Sequence, residues 1–361
     1  MARTEFGCVL TSDPPDTMSP RELRGERSVV KLSSIELCAG AGGQALGLEN
    51  AGFAHLAAVE NDHWACETLR ANRDNDLMPK ADRWNVLEMD MHDVDGRDYR
   101  GVDLVAGGVP CPPFSVAGKQ LGAEDDRDLF PKALEIVRRA EPKAVMLENV
   151  RGLSQPRFDR YRGKIIAELE EDLGYRVHWD LVKSSDFGVP QLRPRFILVA
   201  LRPEVDTYFE WPDGGIAAPT VGQALGSMMG ENGWSGAKQW SRLANSIAPT
   251  LVGGSKKHGG PDLGPTRARE AWKKLGVKGS SIAEFPPDAN FPTQGAPRLT
   301  VAMGGRLQGF PPEWNFRGGK TAAWRQVGNA FPPPVAEAFG SAIATAITCE
   351  TNSVQRAEVS A

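Results

Sequence analysis

Short apolar runs recur along the front part of the chain, and each is the length of a strand rather than a helix. Segments 34–38, 54–59, 86–90, 102–107, 144–147, 176–182 and 196–201 read as strands. Between them the period changes. Segments 44–51, 63–72, 129–140 and 161–173 read as helices. In 129–140, Leu129, Phe130, Ala133, Leu134, Ile136 and Val137 fall on one face, which marks that helix as core. Strands alternating with helices predict an α/β fold.

The pattern breaks after Arg202. From 203 to 297 glycine, proline and serine are frequent and periodicity is weak, which predicts a second domain of loops and short strands. Regular structure returns near Arg298, and 335–348 reads as a helix of small residues suited to close packing against the first domain. The expected division is a flexible tail over 1–30, a first domain over 31–202, a second over 203–315, a return segment completing the first over 316–349, and a frayed end over 350–361.

Composition narrows the class. The 361 residues are 41% hydrophobic and 24% charged, ordinary for a globular protein with room for two domains. The five cysteines form no close-spaced pair, so they read as neither a disulfide framework nor a zinc site, and a reducing cytosol is expected. No apolar run approaches membrane-spanning length, and the N-terminus lacks a signal-peptide core.

Charge is segregated. The net charge is −4, yet 238–278 holds nine basic residues against two acids, a local +7. Ser255-Lys256-Lys257-His258-Gly259-Gly260 and Gly264-Pro265-Thr266-Arg267-Ala268-Arg269 read as loops offered to phosphate. Nucleic acid is therefore the expected partner.

The candidate chemistry centres on Gly108-Val109-Pro110-Cys111-Pro112-Pro113-Phe114-Ser115. Prolines fix φ and remove donors, so this loop holds its cysteine in one pose at the end of a strand. Cys111 is the candidate nucleophile. Ala39-Gly40-Ala41-Gly42-Gly43, between a strand and a helix, reads as a nucleotide cradle, although such turns also serve as plain connections. Glu60 ends the second strand, where an acid commonly accepts from ribose hydroxyls. Asp90 ends the third and is placed for an adenine amino group. Two acids without a basic partner fit a cofactor lacking pyrophosphate, such as S-adenosylmethionine. Glu148 ends the fifth strand at the same edge as Cys111, and Arg193 and Arg195, two apart, are expected to point to one side.

These pieces together resemble the cytosine-C5 DNA methyltransferases of bacterial restriction-modification type. The resemblance runs from Leu32 to about Thr348 and rests on motifs in order: Glu36-Leu37-Cys38-Ala39-Gly40-Ala41-Gly42-Gly43, Val59-Glu60-Asn61, Asp90, Pro110-Cys111-Pro112-Pro113-Phe114-Ser115, Glu148-Asn149-Val150, Gln191-Leu192-Arg193-Pro194-Arg195, Arg306-Leu307-Gln308-Gly309-Phe310-Pro311 and Gln326-Val327-Gly328-Asn329-Ala330. It implies a Rossmann-like, S-adenosylmethionine-dependent methyltransferase sheet, with the variable 203–315 region as target-recognition domain. It further implies that Leu37, Cys38, Gly40, Gly42, Gly43, Glu60, Asn61, Asp90, Met91, Pro110, Leu129 and Asn329 surround the cofactor. Three departures stand out: Glu36-Leu37-Cys38 where the family often has Asp-Leu-Phe, Asn61 where an aromatic is usual, and Val301-Ala302 after Thr300 where Arg-Glu is usual.

The chemistry implied is addition of the Cys111 thiolate to cytosine C6, with Glu148 serving N3 and Arg195, helped by Arg193, holding O2. No metal is needed. The base must be flipped out of the duplex, and 115–127 is the expected flap, with Ser115, Lys119 and Gln120 as DNA contacts beside Lys256, Lys257, Arg267 and Arg269. A monomer in the bacterial cytosol acting on double-stranded DNA is expected, with room for a cognate restriction endonuclease as partner. Three other readings compete: an RNA cytosine methyltransferase, disfavoured by the long basic recognition region; an inactive DNA-binding regulator, disfavoured by the intact Cys111 and Glu148; and a dinucleotide oxidoreductase, supported by the glycine turn alone.

Overall fold

A seven-stranded sheet runs through the centre of the computed structural model, which describes residues 32–75, 84–110, 128–253 and 261–359. The strands are β1 (Leu32–Leu37), β2 (Phe53–Glu60), β3 (Val86–Glu88), β4 (Leu104–Gly107), β5 (Ala144–Val150), β6 (Arg176–Lys183) and β7 (Pro194–Leu201), in the order β3-β2-β1-β4-β5-β7-β6. The first five are parallel, and β7 inserts antiparallel between β5 and β6.

The middle strands are apolar at almost every position because both faces of the sheet are covered. On one face Ile35, Leu37, Val105, Val145, Leu147, Leu198 and Ala200 pack with α3 (Phe130–Ala140) and α4 (Asp159–Ala167). On the other, Leu104, Ala106, Met146, Ile197 and Val199 meet Val335, Ala336, Phe339, Ile343 and Ile347. Those last five belong to α11 (Pro333–Val359), which returns from the far end of the sequence to lie on α1 (Gly43–Asn50). Gly47 allows the close approach, since a Cβ there would sit 2.5 Å from that of Ala336. Helix α2 (His63–Arg73) follows β2 and is capped by Asp62, whose carboxylate accepts from the N–H groups of Trp64 and Ala65.

Three expectations are corrected. Helix α11 does not stop near Thr348 and fray but continues to Val359, since no glycine or proline breaks it beyond Gly340. Strand β5 runs through Glu148 and Asn149 instead of ending before them, because antiparallel β7 gives both residues a partner. The region 203–297 is rich in loops as expected, but its regular elements are helices and not short strands. Among the described residues it forms α5 (Pro203–Asp206), α6 (Val221–Gly230), α7 (Ala237–Leu243) and α8 (Thr266–Lys274), with only isolated bridges. Here helix starts and buried tryptophans replace periodicity. Thr220 and Gln223 form a capping box at the start of α6. Trp234, Trp240 and Trp272 build a separate core, joined by Met303 and Leu307 of α9 (Val301–Leu307) and by Trp324 and Val327 of α10 (Lys320–Asn329).

Candidate active site

Because β7 runs against β5, its first residues lie beside the last residues of β5, with Arg195 in register with Val150. Glu148 and Arg195 are then diagonal neighbours on one face of the ladder. Arg195 Nε lies 2.6 Å from Glu148 Oε1, and both side chains are almost enclosed. Burial pushes the Glu148 carboxyl above its ordinary range, with the charges of Arg195 and Arg193 opposing that rise. Gly108, at the end of β4, leaves room for the carboxylate: a Cβ there would be 3.3 Å from Glu148 Oε2.

The neighbouring Asn149 was missed in the sequence. Its Nδ2 donates to the Val109 carbonyl at 2.7 Å, which ties the segment leading to Cys111 onto β5. Cys111 itself lies outside the described residues, as do Ser115, Lys119, Gln120, the rest of the expected flap, Lys256, Lys257 and the 1–30 tail.

Arg193 and Arg195 part company. Arg193 precedes β7 with a left-handed φ of 24°, which breaks the strand alternation that the two-residue spacing assumed. Its Nη1 donates to the Leu251 carbonyl at 3.1 Å and its Nη2 to the Gly328 carbonyl at 2.9 Å. Arg193 is fully buried, and its two terminal nitrogens tie the backbone at Leu251 to that at Gly328.

Beside the Glu148–Arg195 pair lies a cavity of about 250 Å³. Its wall takes Glu36, Cys38, Gly40 and Gln44 from the end of β1 and the glycine turn, and Glu60, Asn61 and Asp62 from the end of β2. Met89, Met91, Pro110, Leu129 and Glu148 continue it, and Arg325, Gln326, Asn329 and Phe331 close it. Of the expected cofactor residues, Cys38, Gly40, Glu60, Asn61, Met91, Pro110, Leu129 and Asn329 are therefore gathered in one wall.

Four are not. Leu37 faces the sheet core. A Cβ on Gly42 would strike Leu69, and one on Gly43 would lie 2.0 Å from the Phe331 carbonyl, so these glycines pack the turn against its neighbours instead of lining the cavity. Asp90 sits between two wall residues but caps a 3-10 turn, accepting from the N–H and Nδ1 of His92. The His92 backbone N–H leads in holding its carboxyl below the ordinary range.

Two ends of the cavity are electrostatically distinct. Glu60 Oε2 accepts from the Gly40 N–H at 2.8 Å, and its Oε1 from the N–H groups of Asn61 at 3.0 Å and Asp62 at 2.8 Å. Burial still raises the Glu60 carboxyl, against those three hydrogen bonds. Toward the sheet, Glu36 and Gln44 are buried, and neither carboxylate oxygen of Glu36 nor either amide atom of Gln44 has a partner. Glu36 is raised well above its ordinary range by burial first and by the Glu148 charge second. An acid in the middle of a buried run was the signal that could have found Glu36. Between the two ends the wall is soft and apolar, with Cys38 Sγ 3.8 Å from Met91 Sδ. Among the described residues no group of His, Cys, Asp and Glu could hold a metal ion, and no helix is long and apolar enough to cross a membrane.

Residues 32–345 match the family described as C-5 cytosine-specific DNA methylase. The chain is 53% identical over 327 residues to the type II methyltransferase M.NaeI of Lentzea aerocolonigenes, covering 90% of this chain and 78% of that protein. It is 48% identical over 325 residues to the type II methyltransferase M.NgoMIV of Neisseria gonorrhoeae, covering 89% of this chain and 100% of that protein. Among solved structures, a DNMT2 of Spodoptera frugiperda shares the fold at TM-score 0.60 and 16% identity, over 86% of this chain and 99% of that one. A DNA modification methyltransferase encoded within an E. coli prophage does so at TM-score 0.59 and 22% identity, over 88% and 99%.

Proposed function

Because this chain belongs to the C-5 cytosine-specific DNA methylase family, we propose that it moves a methyl group from S-adenosylmethionine to C5 of a cytosine flipped out of duplex DNA. One observation carries the reading. A single cavity joins a ribose-type acid, Glu60, to the buried Glu148–Arg195 pair and to Pro110, the residue before Cys111.

The wall fits that cofactor. The Glu60 carboxylate suits vicinal sugar hydroxyls, and Cys38, Met91 and Leu129 suit an apolar middle. The unpartnered atoms of Glu36 and Gln44 match the ammonium and carboxylate of an amino-acid end. The one wall arginine, Arg325, lies 3.5 Å from Asp62 Oδ2, so the wall is not built for phosphates. When bound, S-adenosylmethionine supplies an electrophilic methyl group.

The rest is work for the chain. The Cys111 thiolate adds to C6 of the cytosine, and the displaced electron pair moves toward N3 and O2. Glu148, raised by burial, gives its proton at N3, and Arg195 compensates charge at O2. C5 is then electron-rich and takes the methyl group. Loss of H5 to water restores the ring double bond and expels the thiolate. Asn149 keeps the cysteine's segment aligned through Val109.

The base reaches Cys111 only outside the helix stack. The 203–315 region is the proposed target-recognition unit, with exposed Arg267 and half-buried Arg269 on α8 and Lys256 and Lys257 nearby in sequence holding phosphates. Ser115, Lys119 and Gln120 are the proposed contacts near the flipped base. The bacterial cytosol is the proposed setting, and a cognate restriction endonuclease the partner.

Sequencing of 5-methylcytosine in DNA from cells expressing the protein tests the reading. Methylation at one short sequence is expected. Label from S-adenosylmethionine entering tRNA but not duplex DNA would overturn it.

A further inference from the structure

We propose that α10 links duplex binding to cofactor binding, with Trp324 as the positioning residue. The inference rests on the reading of the cavity and of α8 just given. Helix α10 has two working sides. Arg325, Gln326 and Asn329 are in the wall of the cavity. Trp324 and Gly328, one turn apart, face the recognition core instead.

Trp324 is fully buried, and its one indole N–H is shared between two carbonyls, Val252 and Asp262, each 3.1 Å away. Val252 ends the approach from α7, and Asp262 begins the run into basic helix α8. A single donor on α10 therefore holds both Val252 and Asp262, the second of them four residues before α8. Gly328 reinforces the contact, since a Cβ there would lie 2.1 Å from the Gly253 nitrogen. Arg193 crosses the same junction, donating to Leu251 beside Val252 and to Gly328 on the helix.

A duplex seated on α8 loads these held segments, and they have little way to shift without moving α10. A cofactor in the cavity orders the opposite side of the same ten-residue helix. Whichever ligand arrives first lowers the ordering cost for the second, and the linkage is reciprocal.

The test measures the dissociation constant of S-adenosylhomocysteine with and without mixed-sequence plasmid DNA fragments. In the wild type, DNA is expected to tighten it by about fivefold or more. Trp324→Phe keeps one aromatic ring but loses the pyrrole ring and its N–H. It is expected to bring the ratio close to one while leaving the DNA-free constant nearly unchanged. A wild-type ratio of one, or a ratio that Trp324→Phe leaves intact, overturns the proposal. Should that variant fold poorly, hydrogen exchange on the DNA-free wild type decides. S-adenosylhomocysteine is expected to slow exchange in 261–275 as well as in 320–329, and unchanged rates in 261–275 overturn the coupling. No S-adenosylhomocysteine binding at all would instead remove the underlying reading of the cavity, and the coupling with it.

Discussion

Arg195 Nε sits 2.6 Å from Glu148 Oε1 across an antiparallel ladder, and Glu148 lines the cavity. Removing Arg195 takes away the charge that opposes the rise of the Glu148 carboxyl, and removing Glu148 leaves the Arg195 guanidinium buried without its partner. Arg195→Met is expected to lower stability by about 3–5 kcal/mol. Glu148→Gln keeps the shape but cannot supply the proton. It is expected to lower methyl transfer by ~10²–10⁴-fold with S-adenosylhomocysteine affinity nearly unchanged. Wild-type turnover in Glu148→Gln, with the protein folded, would remove Glu148 from the chemistry.

Gly108 and Gly43 separate chemistry from folding. The one tight contact of a Cβ on Gly108 is the far end of a side chain, Glu148 Oε2 at 3.3 Å, with the Cys38 carbonyl at an ordinary 4.0 Å. Gly108→Ala is expected to displace that carboxylate and lower turnover while the thermal midpoint hardly moves. A Cβ on Gly43 meets backbone, the Phe331 carbonyl at 2.0 Å. Gly43→Ala is expected to cost about 1–3 kcal/mol or more of stability. Thermal melts and steady-state rates on the two variants check this, and the contrast fails if both lose stability alike.

Much of this site was legible because strand ends in α/β proteins collect polar groups, and Glu60 and Glu148 stand at such ends. Their partners were legible only in part. Arg195 could be placed by its strand, but Arg193 could not, because it lies before β7 with a left-handed φ, where strand alternation does not apply. Asp90 looked like Glu60 in the sequence, yet its Oδ1 accepts from His92 in a local turn, whereas Glu60 accepts from the glycine turn and its own strand end. Glu36 was hidden by its apolar neighbours. The helices after Arg202 escaped notice because Trp240 and Trp272 bury as single anchors rather than as a stripe.

Glu36 makes stability depend on pH in a stated direction. Burial first, and the Glu148 charge second, disfavour its ionised form, so its pKa is raised on folding. A raised acid contributes fully below its unfolded value of about 4.3, and its contribution is lost as pH rises from there through the folded value. The penalty grows by up to ~1.4 kcal/mol per pH unit in that window. Glu36→Gln carries no such penalty. The variant's thermal midpoint, relative to wild type without ligand, is therefore expected to improve from pH 5 to pH 8. A difference that stays flat across those melts would mean Glu36 is ionised in the fold.

Cys111 is tested through its product as well as its loss. Cys111→Ser is expected to abolish methyl transfer while S-adenosylhomocysteine still binds, because a hydroxyl is a far weaker nucleophile than a thiolate but nearly the same size. Duplex DNA carrying 5-fluorocytosine has no H5 to release, so the wild type is expected to remain covalently attached to it. Denaturing electrophoresis reads the adduct. Its absence from an enzyme that turns over ordinary DNA would exclude addition at C6.

Basic residues on α8 test the recognition surface without touching the chemistry. Arg267, Lys273 and Lys274 are exposed on that helix, far in charge from the acidic remainder of the chain. If each neutralises a phosphate, each releases a counterion on binding, and the affinity for duplex falls with salt accordingly. Removing one such contact is expected to reduce the slope of log K against log salt by about one, and to weaken binding alike on all sequences. Arg267→Ala and Lys273→Ala, titrated with duplex fragments at several salt concentrations, supply the slopes. Slopes equal to that of the wild type would place the duplex on another face, and α8 would then be a solvated surface with no part in recognition.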